Sequence, residues 1–103
     1  MKKIIILIPV FNDWESLKKL LKEIKENIKY FKNIDFECLV INDASTIQQP
    51  KLIKPINFRY LKILNMKKNR GHARCNAFGL RYIYQKKEFD YLILMDADGE
   101  DRP

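Results

Sequence analysis

The sequence predicts an α/β protein, Rossmann-like, with a mainly parallel sheet in the order β-α-β-β-α-β. Three observations predict it. Ile4 to Val10 is a continuous apolar run rich in β-branched residues, the pattern of a strand covered on both faces. The period then changes, because Leu17, Leu20, Leu21, Ile24 and Ile28 recur at helical spacing. A second apolar run, Phe36 to Ile41, closes a strand-helix-strand unit, which should be right-handed and parallel.

Each remaining element has its own signal. Asn12, followed three residues later by Glu15, has the spacing of a capping box at the start of the first helix. Ser45 to Pro55 is polar with two prolines and reads as a loop or short irregular helix, and Phe58 to Leu64 as a third strand. Asn65 to Gly71 is a basic turn. Ala73, Ala77, Leu80 and Tyr84 mark a second helix, although Gly79 inside it costs up to about 1 kcal/mol relative to alanine. Tyr91 to Met95 is the last strand. Alternating strands and helices of this kind build a layered α/β domain.

A chain of 103 residues is one domain, here residues 1–103, and buries roughly two thirds of its unfolded surface. Lys and Arg number 20 against 13 Asp and Glu, a net charge of +7, which suits an anionic partner. Part of that charge, Lys18, Lys19, Lys22 and Lys25, also reads simply as the solvated face of one helix. Cys38 and Cys75 lack metal or disulfide spacing, so a reducing cytoplasm is the default. The apolar stretch after Lys2-Lys3 is short, contains Pro9 and meets Asn12-Asp13, which suits a strand better than a signal peptide. No stretch approaches the roughly 20 apolar residues of a membrane-spanning helix.

Ligands of open parallel sheets bind at the carboxyl ends of the strands. Three such ends carry suggestive residues: Pro9 to Asp13, Asn42-Asp43-Ala44-Ser45, and Asp96-Ala97-Asp98. Two carboxylates on alternate residues, Asp96 and Asp98, can face one Mg²⁺ or Mn²⁺ whose shell is completed by substrate phosphates. Asp43 can accept from a base N–H or a ribose hydroxyl, or it can simply start a turn. Phe11 can stack on a nucleobase or pack on the core. Gly71 permits a tight turn before the second helix, where Arg70 or Arg74 can add a charge-assisted contact to phosphate. His72 has no metal-ligand partner at useful spacing and reads as helix-capping or solvent-facing; Trp14 and both cysteines read as packing residues.

Together, Pro9-Val10-Phe11-Asn12, Val40-Ile41-Asn42-Asp43-Ala44-Ser45-Thr46, Asn69-x-Gly71-x-Ala73-Arg74-x-Asn76-x-x-Gly79 and Leu94-Met95-Asp96-Ala97-Asp98-Gly99 resemble family 2 glycosyltransferases of the GT-A fold. The tail through Pro103 is similar to the branch containing polyprenyl-phosphate sugar synthases. The resemblance implies a UDP- or GDP-linked sugar donor held by Pro9, Phe11, Asn12, Asp43, Arg74 and Asp96. It places Phe11 against the base, Asp43 in contact with it and Arg74 near the diphosphate, with Mg²⁺ or Mn²⁺ held by Asp98 and Asp96. It implies a lipid-linked or glycan acceptor and work in the cytoplasm or at the cytoplasmic face of a membrane. Asn42 stands where an Asp is frequent and Ala44 where a Gly is frequent.

The resemblance extends over all 103 residues but about half of such a catalytic domain, with the general base expected beyond Pro103. The chain is therefore expected to be a truncated donor-binding half, inactive alone, whose last strand is an exposed apolar edge prone to self-association. Rival readings are a noncatalytic nucleotide-binding module and a haloacid-dehalogenase-like phosphatase. The phosphatase normally places its DxD near the chain start with Thr following, whereas Gly99-Glu100 follow here. A nucleic-acid-binding domain has no supporting motif, and no nucleic-acid partner is expected.

Overall fold

The structure, a computed structural model, describes residues 2–46, 58–68, 71–86 and 88–96. Its elements are β1 (Lys2–Val10), α1 (Trp14–Ile28), β2 (Ile34–Asn42), β3 (Phe58–Asn65), α2 (His72–Lys86) and β4 (Tyr91–Leu94). They form one sheet in the order β3-β2-β1-β4. All three pairings, β1 with β2, β1 with β4 and β2 with β3, are parallel.

The apolar runs are continuous because both faces of the sheet are covered. Trp14, Leu17, Leu21, Ile24 and Ile28 of α1 pack on Ile6, Ile8, Val10, Phe36, Cys38 and Val40. The alternate residues Ile5, Leu7, Leu39 and Ile41 meet Cys75 and Ile83 of α2 on the other face. Trp14, Cys38 and Cys75 are thus core residues, and both cysteines are free. Helices on opposite faces follow from right-handed crossovers that run outward from β1 to β2 and back from β3 to β4.

Three local features depart from expectation. The N-cap of α1 is Asp13, one residue later than the predicted box, and its side chain accepts from the N–H of Ser16 at 3.3 Å. Asn12 cannot serve there, because it adopts a left-handed conformation with φ 60° as the chain turns off β1. Second, Gly79 is a packing requirement: a Cβ there would lie 2.5 Å from Leu7 Cδ1, so α2 approaches β1 more closely than alanine permits. Third, the apolar run of β2 conceals Glu37, only 2% exposed, whose carboxylate pairs with Lys3 Nζ at 2.8 Å. This pair lies at the amino end of the sheet, away from the strand ends that carry the candidate site.

At that same end Asp90 clamps β1 to β4. Its side chain accepts the Lys3 N–H at 2.8 Å and its own N–H donates to the Lys3 carbonyl at 2.8 Å. The ladder stops at the other end for a covalent reason. Leu7 pairs with Leu94 and accepts the Met95 N–H at 3.0 Å, but the next rung would need an N–H from position 9, where proline has none. Asp96 thereby leaves the sheet. Tyr91, Ile93 and Leu94 of β4 are exposed, and on the α1 face an apolar groove of about 370 Å³ is lined by Ile4, Ile6, Leu20, Ile24, Ile93 and Met95 among others.

Candidate functional site at the strand ends

The order β3-β2-β1-β4 reverses direction at β1, so the carboxyl ends of β1 and β4 flank the crevice where open α/β sheets bind ligands. Phe11 and Asn12 leave β1 at the middle of this edge, with the Asn42 to Ser45 loop on one side and Asp96 on the other.

Hydrogen bonds bind the first two loops into one unit. The Asn12 N–H donates to Ser45 Oγ at 2.9 Å, and Asn12 Nδ2 to Thr46 Oγ1 at 3.0 Å. The Ser45 N–H donates to Asn42 Oδ1 at 3.1 Å, and Asn42 Nδ2 reaches Asn65 Oδ1 at the end of β3 at 2.9 Å. Ser45, Thr46 and Asn65 therefore build the framework of the candidate site; Ser45 and Thr46 stood in the motif after β2, while Asn65 had only a polar residue type at a strand end as its signal. Ala44 adopts φ 55°, a left-handed conformation that costs an L-residue roughly 1–2 kcal/mol, which gives physical content to glycine being frequent there.

Asp43 is 1% exposed. Its N–H donates to the Val10 carbonyl at 2.8 Å, extending β2 along β1, and its Oδ2 accepts the Gly71 N–H at 2.8 Å. Gly71, at φ 82°, makes the turn into α2. The Cys75 thiol also lies against this carboxylate. Its pKa is pushed up to about 12, first by burial and then by its hydrogen bond to Asp43 and the Asp43 charge. The same thiol contacts Met66 Sδ at 3.4 Å. Asp43 thus faces α2 and ties the second loop to the start of that helix.

Phe11 is 38% exposed, so its ring is available at the edge instead of being spent in the core. Pro9 is buried within β1, where it removes a rung of the ladder to β4. Arg74 is exposed on the first turn of α2, and Asp96 is half-buried just beyond β4. Arg70, Asp98 and the residues after Asp96 lie outside the described residues, as do the His72 side chain and most of the Ser45 to Pro55 loop. Among the described residues no three His, Cys, Asp or Glu side chains form a metal-binding group. Asp96 nevertheless fits a hard cation, since it is an oxygen donor released from the ladder at the crevice, and Mg²⁺ can be held by one or two carboxylates and phosphate oxygens.

Sequence comparison adds relatives in bacteria and archaea. The chain is 28% identical, over 97% of its length, to a teichoic acid poly(glycerol phosphate) polymerase of Staphylococcus epidermidis, of which it covers 13%. It is 24% identical, over 98% of its length, to an undecaprenyl-phosphate 4-deoxy-4-formamido-L-arabinose transferase of Proteus mirabilis, of which it covers 30%. An uncharacterized protein of Methanocaldococcus jannaschii is 22% identical over 96% of the chain, which covers 42% of it. The chain therefore spans less than half the length of each of these relatives. With an all-parallel Rossmann-like sheet, and a match to the glycosyl transferase family 2 profile over residues 5–103, the chain belongs to glycosyl transferase family 2.

Proposed function

We propose that this chain forms the donor- and metal-binding part of a glycosyltransferase that uses a UDP- or GDP-linked sugar. The observation that carries this reading is the meeting of the β1, β2 and β4 ends at one crevice, with the first two loops joined through Asn12 and Ser45. In it, Phe11 stacks on the base and Asp43, fixed by Gly71, contacts the base edge. Arg74 supplies positive charge toward the diphosphate from the first turn of α2. Asp96 and Asp98 hold Mg²⁺ or Mn²⁺, which as a Lewis acid stabilises the departing diphosphate. The acceptor is a polyprenyl phosphate, in line with the undecaprenyl phosphate in one relative's name, or a growing glycan, and the setting is cell-envelope synthesis at the cytoplasmic face of a membrane. No helix among the described residues is long and apolar enough to cross a membrane.

Calorimetric titration with UDP and GDP, with and without Mn²⁺, tests this on the chain and on Asp98→Ala. Binding by one nucleotide that needs the metal and is lost in the variant is the expected result. Equal binding without metal, or by the variant, removes Asp98 from its role and leaves a noncatalytic nucleotide-binding module as the better reading.

A further inference from the structure

The Oδ1 atom of Asn76 is buried and has no hydrogen-bond donor among the described residues. Such an acceptor is costly to leave unmade, and in a native fold it usually marks a partner that is absent.

The position of Asn76 indicates where that partner sits. Gly79 rests on Leu7 of β1. Asn76 lies one turn earlier in α2, about 5 Å nearer the helix start, and two strand residues span a similar length, so Asn76 lies near the level of Pro9. The lateral position follows from Tyr82, whose hydroxyl meets Lys62 Nζ of β3 at 2.7 Å. Asn76 is about 120° around the helix from Tyr82, on the flank turned away from β3 and toward β1 and β4. There, Pro9 ends the β1·β4 ladder. The unused carbonyl thus lies beneath the opening of the crevice.

Phosphate oxygens and a metal-bound carboxylate carry no proton to give to this atom at neutral pH, and in the reading above the base N–H groups are directed to Asp43, on the β2 side of β1. A hydroxyl of the ligand has a proton to give. We infer that Asn76 reads a hydroxyl of the bound nucleotide sugar, on the ribose or on the transferred sugar, through Oδ1. The inference rests on the donor-site reading above and assigns to that site a residue that recognises the ligand's hydroxyl pattern.

The test compares the chain with Asn76→Leu, which keeps the side chain's volume and removes its polarity. Without ligand the variant should melt at the same temperature or higher, because an unmade hydrogen bond is removed. With Mn²⁺ present, UDP and UDP-glucose should bind about tenfold more weakly if the hydroxyl is on the ribose, and UDP-glucose alone if it is on the sugar. A variant that melts lower or fails to fold shows that Asn76 is already satisfied within the fold and overturns the inference. Unchanged affinity for both nucleotides in the variant overturns it while leaving the donor site intact. If the chain binds only guanine nucleotides, GDP and GDP-mannose take the place of this pair with the same outcomes; wild-type chain that binds none of the four sinks the donor-site reading, and the hydroxyl assignment falls with it.

Discussion

The Asp43 carboxylate accepts the backbone N–H of Gly71 at 2.8 Å, across 28 residues of sequence. This bond ties the loop after β2 to the start of α2. Replacing Asp43 removes this bond and the acceptor beside the Cys75 thiol, both made by a carboxylate only 1% exposed. Asp43→Ala is expected to cost about 1–3 kcal/mol in urea unfolding, more than a turn-starting residue on the surface would. A change within about 0.5 kcal/mol would show that the bond contributes little.

Both thiols should resist ionisation in the folded chain. Burial raises the Cys38 thiol far above its ordinary range, and burial with Asp43 raises Cys75 to about 12. An unfolded thiol titrates near 8.5, so above that pH the unfolded state loses protons that the native state keeps. The stability these thiols contribute is therefore complete below about pH 8.5 and declines as pH rises toward 12. Urea unfolding at pH 7 to 10 should show this decline, with a shallower slope in Cys75→Ala whatever that variant's offset. Ellman's reagent at pH 8 should label neither thiol before unfolding and both after it.

Gly79→Ala should destabilise the fold even though alanine is the better helix former. The added methyl meets Cδ1, Cδ2 and Cγ of Leu7, itself fully buried, so a core side chain or the helix must shift. Overpacking of this kind costs typically about 1–3 kcal/mol, against a propensity gain of up to about 1. Circular-dichroism melts decide the sign; a rise in melting temperature would mean that α2 sits farther from β1.

The exposed apolar edge of β4 predicts self-association. Tyr91 to Leu94 carries no charge or proline to discourage pairing, and the groove beside Ile93 adds apolar area. Sedimentation at high concentration should show oligomers that Ile93→Lys reduces. A clean wild-type monomer would refute it.

How far the fold could be read from the sequence depended on which interactions were local. The strand runs and the α1 stripe are periodic patterns, and they located every element to within a few residues. The helix cap was misplaced by one residue because Asn12 and Asp13 are both good caps, and only the backbone turn at φ 60° spends the first of them. Gly79 read as a weakness because its justification, Leu7, lies 72 residues away in sequence. Asp43 was legible as a carboxylate at a strand end but its tie to Gly71 was not, since a strand-end carboxylate gives no sign of which amide it will meet. Asn76 stood in the sequence as a member of the Asn69-to-Gly79 pattern with no role attached; its buried carbonyl emerges only once α2 is laid on β1.

The central claim is that one cation and one diphosphate sit where β1 and β4 part. Anomalous diffraction from crystals of the chain grown with UDP and Mn²⁺ tests it most directly. The account predicts a manganese peak within coordination distance of the Asp96 or Asp98 carboxylate, with the uracil ring beside Phe11. A peak elsewhere, or a nucleotide bound away from the ends of β1 and β4, would contradict it.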